Sequence, residues 1–569
     1  MNKSKANSMS NQQAFLDKAR ASVAQLLHDQ SPFALDTDVK GIKAFRHAPK
    51  NLVEAIQAGR RHADVPFLHW QDQRFSVSEF FVEADRLSSA LQKQLHMQPG
   101  QRVAIAMRNR PQWMIAFVAC AQVGLIPVPL NSWGLRDELL YSIEAADAQL
   151  LICDEPRWQQ VAGGLPEATQ VVLLDGQGDE PVSALWDDLI AVADTAFTLH
   201  QPDPEDDALI LFTSGTTSRA KGVVSSHRAI GQALYALEYQ GAMAAMTSPE
   251  RIKPIIDSGL QPTALLCFPL FHVSGLHAQF LSMLRNGRRM VIMYKWDVEE
   301  ALRLIESERC TQFNGAPVMM QELLNHERFD SPATASLFSL GLGGGAASNA
   351  LLDRLLSVKP QAMVGSGYGM TEGNGIGAAH GGEQFLNFPA SAGWPLPIVQ
   401  LVIGDRPDKP VPAGTPGPIW MRSPTLMKGY RNRPEETRET LQDGWLFSGD
   451  IGRLDADGML YITDRIKDII IRGGENISAI EVEEVAATHP AVIEAAAFAC
   501  PDSRFGEVVG LAVHCREDLS KEALCAYIRE SLAAYKCPEQ VWFSAEPLAR
   551  NATGKLQKPL IKQHLGVMS

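Results

Sequence analysis

Short, unbroken apolar runs recur through the first 300 residues of this 569-residue chain, and they constrain its fold more than any other feature. They are RVAIAM at 102–107, LIPVPL at 125–130, AQLLIC at 148–153, ALILFT at 208–213, ALLCFPL at 264–270 and MVIMY at 290–294. A strand with one face in water alternates apolar and polar side chains. A run that is apolar at consecutive positions is buried on both faces. Helically spaced segments lie between the runs, so the pattern predicts α/β sheets covered by helices on both sides. The longest apolar stretch, Trp113 to Leu130, is broken by Gln122, Gly124, Pro127 and Pro129. A membrane-spanning helix needs about 20 apolar residues. This stretch therefore reads as a buried helix, a turn and a strand. Peripheral membrane contact is left open.

The texture changes near residue 400. Residues 400–465 are rich in Gly, Pro and short alternating runs, as antiparallel strands and turns are. GRLDADGMLYIT at 452–463 reads as a hairpin with Asp457-Gly458 in its turn. A compact mixed segment follows from about 466. The chain is too long for one core, and the expected division is a polar N-terminal extension at 1–45, a large domain at 46–465 and a small domain at 466–569.

The formal net charge of −13 argues against a nucleic-acid binder, which needs a basic surface. None of the eight cysteines forms a C-x-x-C pair. Scattered single thiols point to a reducing cytoplasm. The opening MNKSKANSMSNQQ has no apolar core and does not read as a signal peptide.

LFTSGTTSRAKGV at 211–223 follows an apolar strand and crowds Thr213, Ser214, Gly215, Thr216, Thr217 and Ser218 into six residues. Gly215 frees the backbone to turn its N–H groups inward, the hydroxyls add donors, and Lys221 adds a charge. Such a loop suits a polyphosphate. It is not a Walker A loop, because Lys221 does not sit between a glycine and a Ser or Thr. A flexible Ser/Thr surface turn would have the same composition.

TSGTTSRAKG resembles the signature loop of the adenylate-forming superfamily, which includes acyl-CoA synthetases, aryl-CoA ligases, luciferases and peptide-synthetase adenylation domains. Ser218 and Ala220 stand where that family usually has Gly and Pro. Four further motifs resemble the family's in its order. GYGMTE at 367–372 is similar to the adenine and metal motif. There Gly367, Tyr368, Gly369 and Met370 would border the base, Thr371 would lie near phosphate, and Glu372, with Thr216, would serve Mg²⁺. GWLFSGD at 444–450 resembles the ribose motif, with Asp450 as acceptor for the sugar hydroxyls. Ile462 and Arg465 would border the ribose and phosphate, and Lys467 occupies the hinge position. IIIRGGENIS at 469–478 resembles the coenzyme A ligase form of the next motif, where Gly473 and Gly474 would let a pantetheine arm pass. A simple turn would also explain them. RNATGKLQK at 550–558 is similar to the terminal motif, whose Lys555 would reach the α-phosphate and the substrate carboxylate.

The resemblance implies an α/β protein: a large N-terminal domain of αβαβα-layered sheets with a β-rich subdomain, then a small mobile α+β C-terminal domain. It implies an acid–thiol ligase that uses ATP, Mg²⁺ and coenzyme A and proceeds through acyl-AMP, with Lys555, Glu372, Thr371 and His272 as catalytic residues. LGLGGGA at 340–346 also satisfies the dinucleotide pattern G-x-G-x-x-A, but Asp353 comes too early and Glu372 too late for its ribose-binding acid. By resemblance Gly344, Gly345 and Ala346 belong instead to a glycine-rich wall of the nucleotide pocket. A non-enzymatic nucleotide-binding protein would lack Lys555 or Glu372.

FPLFHVSGL at 268–276 and FNGAP at 313–317 resemble acyl-pocket segments. His272 stands where amino-acid-activating relatives often carry an Asp, so a free amino acid is disfavoured. It either gates the pocket or packs in the core. Gly275, Gly315, Gly341 and Gly343, with Asn314, are expected to leave room for an apolar acyl group. A medium or long fatty acid is the first expectation and an aryl or cinnamate-type acid the second. The 14 residues after Lys555 hold no carrier domain, and Ser348 lacks the context of a phosphopantetheine serine. The thiol acceptor is therefore expected to be a separate molecule, coenzyme A before a carrier protein.

Overall fold

The computed structural model describes residues 2–39, 41–176, 182–213, 219–343, 349–552 and 554–567, and the side chains of all of these except 2–11, 349 and 350. Of the six apolar runs, ALILFT lies in a separate three-stranded antiparallel sheet, Asp207–Thr213, Lys221–Ser226 and Gly429–Tyr430. The other five form two large sheets. One is a five-stranded parallel sheet in the order Ile126–Pro129, Arg102–Ala106, Leu150–Asp154, Gln170–Leu174, Ala184–Leu185. The other has nine strands, parallel from Pro66–Trp70 through Arg289–Ile292, Thr263–Leu266, Gln312–Gly315 and Ser339–Leu342 to Met363–Tyr368, with antiparallel strands at both ends.

Helix Pro111–Gln122 explains how the sheets are joined. Proline opens it, where a missing N–H costs nothing. Eleven of its 12 residues are buried, so it has no solvent face and must lie between layers. Trp113 and Phe117 stack 5.6 Å apart and meet Phe280 and the helix Val77–Lys93, which starts with a Ser76/Glu79 capping box.

Beyond residue 400 the chain forms the expected antiparallel sheet, Gln400–Ile403, Gly417–Arg422, Trp445–Leu454 and Leu441–Gln442, with Leu460–Arg465 on the long strand. Asp455–Met459 closes the hairpin, and Gly458 takes the left-handed backbone (φ 79°) its turn needs. The C-terminal segment builds its own five-stranded sheet and helices Ala479–Ala487 and Lys521–Arg529 around Ile470, Val482, Leu511, Leu524 and Ile528.

The N-terminal segment differs from its expected character. Helix Asn2–Leu26 buries Phe15, Leu16 and Ala19, and Phe33 and Phe45 join a ring cluster with Tyr235 and Tyr239. Phe45 exchanges two hydrogen bonds with the Gln232 side chain. The segment packs in one apolar cluster with Tyr235, Tyr239, Ile376 and Leu396. No described helix is long and apolar enough to cross a membrane. All eight cysteines are free thiols.

Candidate active site

The parallel strands of the nine-stranded sheet deliver their following segments to one edge, the C-terminal edge where open α/β sheets take ligands. FPLFH follows Thr263–Leu266, AP follows Gln312–Gly315, Gly343 follows Ser339–Leu342, and Tyr368 ends Met363–Tyr368. Register aligns them: Asn314 sits opposite Gly341, and Gly341 opposite Gly365.

Tyr368, Met370 and Ile462 pack on one apolar cluster. The Tyr368 hydroxyl donates to Asp450 Oδ2 at 2.8 Å, and Arg465 Nε meets Asp450 Oδ1 at 3.1 Å. Asp450 and Arg465 are direct partners across the hairpin, so the ladder itself sets the ion pair. Gly369 has no room for a side chain, since a Cβ there would lie 2.2 Å from Gly375 O. Thr371–Gly373 forms one 3₁₀ turn that buries Glu372. Burial raises the Glu372 carboxyl above its ordinary value, while Tyr430, Lys221 and Arg465 oppose that shift. Tyr430 donates to Glu372 Oε1 at 2.8 Å.

Of the phosphate-loop candidates, Thr213 ends strand Asp207–Thr213 directly opposite Lys221, which begins strand Lys221–Ser226. Ser214, Gly215, Thr216 and Thr217 between them, and Gly344, Gly345 and Ala346, lie outside the described residues. Lys221 Nζ pairs with Glu436 Oε2 at 2.8 Å and stands 4.8 Å from the Tyr430 ring centre.

Lys555 arrives from the small domain. Asn551 holds its loop through Oδ1 to the Lys555 N–H (2.9 Å), and the Arg550–Glu494 pair braces it. Gly554 is left-handed (φ 83°), and a Cβ on it would fall 2.7 Å from Ala316 Cβ and 3.5 Å from Val318 Cγ1. The loop thus rests on the FNGAP segment. Burial, then the nearby Arg465, lowers the Lys555 ammonium to about 7; Lys467 adds to this and Asp450 opposes it. Lys467 lies in the 3₁₀ turn Ile466–Asp468 that joins the domains, and burial lowers its value too. Gly473 and Gly474, by contrast, are exposed at a hairpin end where Arg472 pairs with Glu475. Both have positive φ (59° and 93°), so a two-residue turn alone accounts for glycine there.

His272 caps the short helix Val273–Gly275, which runs into a π-helical turn, Leu276–Leu281. Burial lowers it to about 4, so it is neutral at physiological pH. The expectation that the pocket glycines leave room needs correction. A Cβ on Gly275 would lie 2.3 Å from Pro269 O, on Gly315 2.5 Å from Phe313 Cζ, and on Gly341 2.1 Å from Asn314 Oδ1. Protein atoms fill those spaces, so the glycines serve close packing. Only at Gly343 would a Cβ meet ordinary contact, 3.6 Å from Phe268 Cζ.

Three neighbours of the site were missed in the sequence. Tyr430 and Glu436 reach it through strand pairing of Gly429–Tyr430 with Lys221–Ser226. Asn109 reaches it by clasping the backbone of Phe268 and Leu270 with its amide (2.9 and 3.1 Å). No local pattern announces such long-range contacts.

Residues 55–431 match the family of AMP-binding enzymes and residues 481–555 the AMP-binding enzyme C-terminal domain. The chain is 33% identical over 510 residues to a methyl-dioxo-octahydroindenyl-propanoyl:CoA ligase of Mycobacterium tuberculosis, covering 87% of this chain and 94% of that one. It is 33% identical over 501 residues to a feruloyl-CoA synthase of Amycolatopsis, covering 86% and 94%. The solved o-succinylbenzoate CoA synthetase of Bacillus subtilis, in complex with its acyl-adenylate intermediate, superposes with a TM-score of 0.72 at 28% identity, covering 89% of this chain and 97% of that one.

Proposed function

Starting from the fact that the chain belongs to the family of AMP-binding enzymes, we propose that it activates a cyclic carboxylic acid, aryl or alicyclic, and transfers it to coenzyme A. The general reaction is that of the family's ligases: ATP-dependent, AMP-forming, through acyl-AMP. The acid and the residue roles are our reading.

The observation that carries the roles is the docking of the Lys555 loop on Ala316 and Val318, beside Asp450 and Arg465. Asp450 would take the ribose hydroxyls while Tyr368, Met370 and Ile462 border the base. A carboxylate oxygen of the acid attacks the α-phosphorus, the bond to the β-phosphate oxygen breaks, and pyrophosphate leaves. The Lys555 ammonium would neutralise charge gathering on the α-phosphate, as fixed charges in dry sites do. Mg²⁺ is held by one or two carboxylates plus phosphate oxygens, and the buried Glu372 would supply the carboxylate. When bound, the ion would neutralise phosphate charge as a Lewis acid. In the second step the coenzyme A sulfur, having lost its proton to solvent, attacks the acyl carbon and AMP departs. Lys555 and Gly473-Gly474 would serve the two steps in turn, with the joint at Lys467. We place the reaction in the cytoplasm, in keeping with eight unpaired thiols.

For the acid, a neutral His272, the Phe268 ring and the absence of extra glycine space favour a compact, flat or fused-ring body over a long straight chain. The relatives named above carry indenyl, feruloyl and succinylbenzoyl groups. A fatty acid is the competing reading. Pyrophosphate release with ATP and Mg²⁺ decides, over C2 to C18 fatty acids, benzoate, cinnamate-type acids and ring-bearing propanoates, each with and without coenzyme A. Higher kcat/KM for ring-bearing acids, with a thioester product, is expected. A preference for straight chains overturns the acid assignment. Release without thioester moves the acceptor to a carrier protein.

A further inference from the structure

We infer that Tyr430 is a positioning residue for the metal-binding carboxylate, and that its hydroxyl fixes which oxygen of Glu372 is offered to the ion. The inference rests on the reading of Glu372 as the Mg²⁺ ligand and goes beyond it.

Glu372 is 7% exposed, and a buried carboxylate has few ways to be held. Its backbone is fixed, with the carbonyl accepting from Met427 N at 2.8 Å. Behind it Asn374 adopts a left-handed backbone (φ 54°) and is tied by its side chain to Ser225 and Thr425. Beyond the hydrogen bond from its own backbone N–H, the carboxylate takes the Tyr430 hydroxyl, which donates to Oε1 at 2.8 Å. Oε2 is the oxygen we assign to the ion.

Tyr430 is itself held firmly. It is 8% exposed and lies on strand Gly429–Tyr430, where it pairs with Val223. Its N–H donates to Thr437 Oγ1 at 2.9 Å. Its ring also stands under Lys221 Nζ, whose strand leads out of the phosphate loop. One side chain therefore touches the metal carboxylate and the loop lysine from a rigid strand. An outer group that hydrogen-bonds one oxygen of a carboxylate sets its rotamer and leaves the other free for the ion. Removing such a group typically lowers metal affinity about 10- to 100-fold.

The test uses the full-length enzyme with a non-hydrolysable ATP analogue, and Mn²⁺ as a paramagnetic probe for Mg²⁺. Mn²⁺ affinity is read by electron paramagnetic resonance in the wild type, Tyr430→Phe, Glu372→Gln and the double variant. Tyr430→Phe keeps the ring under Lys221 and removes only the donor. It is expected to weaken Mn²⁺ binding about tenfold or more, while analogue binding in EDTA stays unchanged. Glu372→Gln is expected to weaken Mn²⁺ binding, and Tyr430→Phe to add nothing in that background. Wild-type Mn²⁺ affinity in Tyr430→Phe, beside a loss in Glu372→Gln, overturns the role of Tyr430 alone. Additive losses in the double variant also overturn it, since a group acting through Glu372 has nothing left to act on. No loss in Glu372→Gln overturns the metal reading and the inference with it.

Discussion

Two glycine-bearing turns of the small domain face opposite fates. The turn before Lys555 is pressed against the large domain so closely that a single added carbon at Gly554 would collide with Ala316. The Gly473-Gly474 turn stands in solvent, with nothing within 4 Å of a Cβ on Gly474. Both belong to one body, a five-stranded sheet with an apolar cluster on each face, reached through the short turn Ile466–Asp468. On the roles proposed above, this arrangement is the position for the first step, with the lysine turn in and the double-glycine turn out. The second step would require the reverse, by rotation about residues near Lys467.

That contrast can be broken most sharply at the exposed turn. Gly473→Val places a branched side chain at φ 59°, which only glycine adopts freely. If this turn guides the thiol, thioester formation from supplied acyl-AMP should fall about 100-fold, the cost of slight misplacement at a reacting centre. Pyrophosphate release should stay near the wild-type rate. Equal losses would show that the turn matters only for folding.

A second effect is a matter of pH. The docked lysine titrates near 7 instead of 10.5, so its ammonium is present below about pH 7 and is lost as pH rises through it. The first step should then lose about tenfold in kcat/KM for ATP per pH unit above 7. Thioester formation from acyl-AMP, made with the lysine withdrawn, should show no such limb. Lys555→Arg, which keeps its charge, should flatten the profile. A limb shared by both steps would assign it to another group.

The smallest effect is expected at the joint. Ser478 Oγ donates to Thr463 O at 3.1 Å, tying the small domain to strand Leu460–Arg465, which pairs with the ribose-motif strand. Ser478→Ala removes that hydrogen bond, about 1 kcal/mol, and also the cap that Ser478 Oγ gives to the Glu481 N–H (3.2 Å) at the start of helix Ala479–Ala487. It should slow the first step a few-fold and leave the second unchanged or slightly faster, measured in single turnovers. A uniform slowing would show that the bond does not bias docking.

The sequence was most legible where local pattern and burial coincide. Five of the six unbroken apolar runs became parallel strands because both faces of those strands are covered; ALILFT is buried too, but in an antiparallel pair. The Asp457-Gly458 hairpin followed because its turn chemistry is local. The N-terminal segment was misjudged because its partners, Gln232, Tyr235 and Tyr239, lie about 200 residues away. The pocket glycines were misjudged for a related reason. A sequence shows which side chains are missing, not which neighbour fills the space, and at Gly341 that neighbour is Asn314. Tyr430 stayed hidden because its partner, Glu372, lies 58 residues away, and the register that places Tyr430 is with Val223 on another strand.

The division of labour between the two turns is tested most directly by Lys555→Ala, assayed separately for the two half-reactions by rapid quench. The expected result is that acyl-AMP formation from acid and ATP falls by about 100-fold or more, while supplied acyl-AMP and coenzyme A give thioester at close to the wild-type rate. Loss of both steps in equal measure would contradict it.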